Sequence, residues 1–126
     1  MLDEADAEVA TELFRRADRR STSVIAYAEC RAAVAAAART RRLKASDARK
    51  AVAALDEVWP AIDRLVVSED IVHRAGELAE RRALRGFDAI HLASALAQAP
   101  DAVLACWDQH LSQAARAEGL GLARVV

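Results

Sequence analysis

Short runs of strand-forming residues alternate with helical stretches of ten or more residues along this chain, and that alternation admits few architectures. Arg20–Thr22, Asp63–Val67, Ala102–Cys106 and Leu122–Val126 read as strands. Helical periodicity covers residues 3–17, about 24–41, the stretch from Ser46 to Trp59, and about 69–82, 87–98 and 108–118. Ser23, Ser46 and Ser68 are expected to cap the helices that follow them. Pro60 is expected to stop the third helix, Gly86 to break the chain before the fifth, and Pro100-Asp101 to end that one. Strands separated by helices pair in parallel, so the pattern predicts one domain over residues 1–126, a helix-rich three-layer α/β/α fold with a mainly parallel central sheet. Ligands of such sheets collect at the carboxyl ends of the strands.

Composition sharpens this. Hydrophobic residues make up 54% of the chain, but alanine supplies much of that and aromatics only 4%, so elements must pack through small side chains. The net charge is −1, which excludes a polybasic coat while leaving room for local basic patches at residues 15–20, 39–44 and 81–85. Such clusters are ordinary solvated helix ends, and they can also cradle a phosphate backbone. Cys30 and Cys106 share no short spacing, so neither a zinc pattern nor a disulfide framework is indicated. No apolar run approaches membrane-spanning length and the first residues are acidic, so a cytoplasmic protein without a membrane association is expected.

Three carboxylates stand against apolar surroundings, where acids are costly unless a positive partner meets them. Glu29 lies in Val24-Ile25-Ala26-Tyr27-Ala28-Glu29-Cys30, with Ile25, Ala26, Ala32 and Ala33 as its helical neighbours. It is either a solvated acid on an alanine-lined face or part of a site. Asp88 opens the apolar helix after Gly86, where the helix dipole and Arg85 could account for it alone. Asp108 follows a strand and could be a simple N-cap. Taken together they suggest convergence in one cleft, and converging carboxylates repel unless a divalent cation neutralises them. Oxygen-only ligation favours Mg²⁺ or Mn²⁺. Arg and Lys from residues 15–20 and 39–44 are expected to rim such a cleft if it takes a phosphate backbone.

Other features carry less. Asp88 and His91 are three apart, but no second histidine shares their face, and His73 and His110 have no partner pattern. Ser21, Ser94 and Ser112 lack a nucleophile elbow, and no glycine-rich phosphate loop exists. No recognition helix with a basic face stands out to suggest a DNA-binding protein.

The stretches Ser23-Val24-Ile25-Ala26-Tyr27-Ala28-Glu29, Leu84-Arg85-Gly86-Phe87-Asp88-Ala89-Ile90-His91-Leu92-Ala93-Ser94-Ala95 and Cys106-Trp107-Asp108-Gln109-His110-Leu111 together resemble the PIN domain, specifically VapC-type toxins of bacterial toxin–antitoxin pairs. The likeness extends from residue 3 to the end. It implies a Mg²⁺-dependent endoribonuclease acting on RNA, paired with a VapB-type antitoxin and commonly a homodimer. By position, Glu29, Asp88 and Asp108 match three of the family's four acidic residues, and so carry both metal binding and catalysis by implication. Family members begin with a central strand ending in the first metal-binding Asp. This chain opens at the helix after it, and Asp3, Asp6 and Glu8 belong to that helix. The expected consequences are a rearranged sheet, an exchanged dimer or marginal stability, together with weaker metal binding. The alternative function is a non-catalytic PIN-like binding module.

Overall fold

Strand pairing in this molecule is parallel throughout and local, two strands at a time. The structure, a computed structural model, describes residues 4–98, 100–106 and 108–123. Its elements run α1 (Glu4–Arg16), β1 (Ser21–Ser23), α2 (Ala26–Arg39), α3 (Ala45–Val58), a 3-10 turn (Trp59–Ala61), β2 (Asp63–Leu65), α4 (Glu69–Arg82), α5 (Gly86–Leu96), β3 (Val103–Leu104), α6 (Gln109–Ala117) and β4 (Gly121–Leu122). β1 pairs with β2 and β3 with β4, each in parallel, giving two two-stranded sheets among the described residues. The chain divides into two compact units. One spans Arg19–Val66, and the other carries α1 and everything from Val67 onward.

In the Arg19–Val66 unit, Ser21, Thr22 and Ser23 lie opposite Asp63, Arg64 and Leu65. The pairing is extended by Val24 N–H to Leu65 O at 3.0 Å and Asp63 N–H to Arg20 O at 2.7 Å. Strand pairing therefore takes Ser23, which is buried, and the expected cap is displaced: α2 starts after Ile25, with no side-chain cap. Ser46 likewise is not a cap, because α3 already begins at Ala45 behind Lys44. α3 does stop before Pro60, at Val58, and Pro60 sits inside the 3-10 turn that follows, where its missing N–H costs nothing. Tyr27 and Trp59 pack with ring centroids 5.3 Å apart, and the Tyr27 hydroxyl donates to Asp56 Oδ1 at 2.6 Å. These contacts brace α2 and α3 against the turn that leads into β2.

In the other unit, Ser68 caps α4 as expected, its Oγ accepting from Ile71 N at 3.3 Å. Gly86 does not break the chain. Arg85 takes the extended N-cap conformation and Gly86 becomes the first residue of α5. The core gathers Ala75, Leu78, Leu84, Ala89, Leu92, Ala93, Leu111, Ala114 and Ala115 from α4, α5, α6 and the α4–α5 corner. Five of these nine are alanines, so backbones approach closely and Leu92, completely buried, fills the centre. Glu118, just past α6, accepts from Arg81 at 3.1 and 3.0 Å and from Arg82 at 2.7 Å, fastening the end of α4 to the end of α6. The expected strand over residues 122–126 is realised in Leu122, while residues 124–126, Asp3 and Trp107 lie outside the described residues. Among the described residues no helix is long and apolar enough to cross a membrane.

Two tests follow from this packing. Ser94 is buried in α5 and its Oγ has no hydrogen-bond partner among the described residues. A desolvated, unsatisfied hydroxyl is unfavourable, so Ser94→Ala should raise the stability by about 1 kcal/mol in urea unfolding. Glu118 is held below the usual carboxylate range by its hydrogen bonds to Arg81 and then Arg82. A depressed carboxylate stabilises the fold above its unfolded pKa and loses that contribution as pH falls through the folded value. Glu118→Gln should therefore unfold more readily at pH 7. The gap to the parent should close as the pH drops below the ordinary carboxylate range, as thermal melts across pH 7 to 3 (roughly the span in which carboxylates titrate) can show.

Candidate functional site

Two of the three expected acids meet in one pocket. Asp88 stands in the first turn of α5, and Asp108 is the N-cap of α6. Both line a cavity of about 350 Å³ together with Ala83, Leu84, Arg85 and His110. The sequence places them there in a simple way. α4 ends at Arg82, and Ala83 turns the chain with φ +54°, closed by Leu84 N–H to Ala79 O at 3.1 Å. Leu84 then buries itself in the core, so the chain leaves the corner through Arg85 directly into α5, with Asp88 one turn on. A left-handed alanine costs about 1–2 kcal/mol relative to glycine's freedom. That strain sits at the pocket's wall.

Asp88 is partly buried, and its Oδ2 faces Arg85 Nε at 3.5 Å, the arginine itself being largely exposed. Such an exposed pair is weakly held and easily exchanged for a stronger cation. Asp108 has the capping role that its position allowed: Oδ1 accepts from Leu111 N at 2.8 Å. That bond fixes the carboxylate at the mouth of α6, beside the pocket that Asp108 lines. Being a cap and lining the pocket are thus one arrangement, because the capping bond orients the acid.

His110 was not legible as a site residue, yet it lines the same pocket. Its Nε2 lies 2.9 Å from the Arg82 carbonyl. A carbonyl only accepts, so Nε2 carries the proton. The bond ties the first turn of α6 to the end of α4, and so holds Asp108 beside the corner from which Asp88 departs. The only signal in the sequence was its place two residues after Asp108; its partner is a main-chain atom that no side-chain pattern reveals. His91, the spaced partner of Asp88, is half-buried on α5.

Glu29 is on α2 in the Arg19–Val66 unit, half-buried, with its amide bonded to Ile25 O at 3.2 Å. Its carboxylate and burial together push the neighbouring Cys30 thiol up, burial being the larger cause. Among the described residues no three metal-ligating side chains are gathered at one point. The pocket of Asp88 and Asp108 nevertheless suits a hard ion, since Mg²⁺ is usually bound by one or two carboxylates and keeps waters or phosphate oxygens as its remaining ligands.

Comparison with known proteins gives the family. The family model described as PIN domain matches residues 1–117. Ribonuclease VapC45 and Ribonuclease VapC49, from two strains of Mycobacterium tuberculosis, are each 40% identical to this chain over 121 residues. Those matches cover 95% of this chain and 84% of each relative. With a pair of carboxylates on one pocket, parallel strand pairing and this extent of similarity, the chain belongs to the PIN domain family and to its VapC ribonuclease branch.

Proposed function

We propose that this chain is a VapC-type endoribonuclease toxin in which Glu29, Asp88 and Asp108 hold Mg²⁺, with Mn²⁺ as a substitute, for hydrolysis of RNA phosphodiester bonds. The observation that carries the reading is the meeting of Asp88 and Asp108 on one pocket. An ion held there would supply a lowered pKa for its bound water and offset the charge that builds on the cleaved phosphodiester.

The chain's own groups do the holding. Asp108 is oriented by the Leu111 amide, and Asp88 is presented from the first turn of α5. Arg85, exposed beside Asp88, is the nearest cation available to a phosphate entering the pocket. His110 keeps α6 pinned to the α4–α5 corner. Glu29 supplies the third carboxylate, a role supported by its apolar surroundings and by its position in the stretch that resembles the family. RNA is the substrate, a cognate VapB-type antitoxin neutralises the toxin by binding it, and the active form is a cytoplasmic homodimer.

Asp88→Asn is nearly isosteric and removes one negative charge. It should lower Mg²⁺-dependent cleavage of RNA by about 100-fold or more, a size typical of removing one transition-state stabilising group. A gel assay of the purified protein on total RNA, with and without EDTA, reads this directly. A folded protein that binds RNA or its antitoxin and yields no Mg²⁺-dependent products would instead establish a non-catalytic binding module.

A further inference from the structure

Three arginine-rich segments looked equivalent in the sequence, and the structure separates them. Arg15 and Arg16 pair with Glu12, and Arg19 with Asp63. Arg81 and Arg82 share Glu118, and Arg85 faces Asp88. The segment joining α2 to α3 is different. Arg39, Arg41, Arg42 and Lys44 are all exposed, as are Arg49 and Lys50 farther along α3. None of the six has an ion pair among the described residues; Arg42 Nε donates only to Thr40 Oγ1, at 3.0 Å. Residues 39–50 hold these six cations and one acid, Asp47, for a local net charge of +5 in a chain whose total is −1. The rest of the chain therefore carries −6 by difference.

Backbone geometry in the same turn points the same way. α2 ends in a Schellman motif, with Arg42 N–H to Ala37 O at 2.9 Å and Arg41 N–H to Ala38 O at 3.1 Å. The residue that must take the left-handed conformation is Arg41, at φ +59°. α6 ends in the same motif, with Leu120 N–H to Ala115 O at 3.0 Å and Gly119 N–H to Arg116 O at 3.0 Å, and there the left-handed residue is glycine at φ +86°. Glycine is the residue this position favours, so Arg41 is kept against local preference. Lys44 is a second departure. It occupies the N-cap of α3 without a capping bond, where Ser, Thr, Asp or Asn and negative charge are preferred. Two departures from local preference in one turn whose cations lack ion pairs among the described residues point to a surface whose charges meet a partner.

We propose that the α2–α3 turn, through Arg39, Arg41, Arg42 and Lys44, is a docking surface for the phosphate backbone of RNA. This rests on the ribonuclease reading above and adds a surface on which the substrate's backbone is held. Closely spaced exposed cations without acidic partners suit a run of phosphates, each contact releasing a counterion.

The test is fluorescence anisotropy with a fluorescein-labelled single-stranded RNA of mixed sequence, in EDTA so that nothing is cleaved, across a NaCl series. The full chain should bind with a steep salt dependence. Replacing Arg39, Arg41, Arg42 and Lys44 together by Gln should weaken binding and flatten the slope of log K against log salt by about 2 to 3, from roughly 0.7 for each phosphate contact on single strands. Arg15→Gln with Arg16→Gln should leave the slope unchanged. Arg41→Gly, which relieves the backbone, should melt at a higher temperature than the parent while binding RNA less tightly; it decides the matter if the fourfold variant does not fold. Parent-like slopes in the fourfold variant, or in Arg41→Gly, overturn the proposal while leaving the ribonuclease reading in place. So does a fourfold variant that keeps RNA affinity but loses binding to polyglutamate, which would assign the surface to an acidic protein. A parent protein that binds RNA at no salt concentration removes the ribonuclease reading itself.

Discussion

Alanine at the helix contacts is the constraint on which the pocket depends. Ala89 and Ala93 of α5, and Ala114 and Ala115 of α6, are buried together with Leu92. Small side chains let these helices lie close enough for the first turn of α5 and the cap of α6 to share one concave surface. Larger residues at these positions would separate the two helix starts, and with them the two carboxylates. The Glu118 clasp at the far end of α6 and the His110 bond at its near end hold the same helix at both ends. Rigid elements with fixed termini are what the proposed metal-binding role of these two acids needs, because ligand geometry must be met within fractions of an ångström.

Much of this was legible in the sequence because it rests on local chemistry. Ser68 and Asp108 cap the helices expected of them, since a side-chain oxygen three residues before an amide needs no distant partner. The alternation of strand and helix announced parallel pairing, and β1–β2 and β3–β4 are parallel. What failed locally failed for tertiary reasons. Ser23 was claimed by strand pairing with Leu65 rather than by a helix end. Ser46 lost its capping role because α3 begins two residues earlier than expected, at Ala45 behind Lys44. Gly86 looked like a break but was absorbed into α5, because Arg85 already provides the extended residue.

The candidate site divides along the same line. Asp88 and Asp108 could be picked out because acids at helix starts, beside apolar runs, are conspicuous. His110 could not, since its partner is the carbonyl of Arg82, twenty-eight residues back. Nor could the sequence rank the three basic segments. Only the positions of Glu12, Asp63, Glu118 and Asp88 show which arginines already have an acidic partner. Charge that is unpaired in the folded molecule, rather than charge as counted, separates a candidate polyanion surface from ordinary helix ends.

The proposal that Glu29 joins Asp88 and Asp108 in holding one divalent ion is tested most directly by a double-mutant cycle on metal affinity. Calorimetric titration with Mn²⁺ of the parent, Glu29→Gln, Asp88→Asn and the double variant gives the four affinities required. Two ligands of one ion should each weaken binding when removed, and their effects should be non-additive, with a coupling of about 0.5–3 kcal/mol. A Glu29→Gln protein that binds Mn²⁺ as tightly as the parent, while Asp88→Asn does not, would contradict the account.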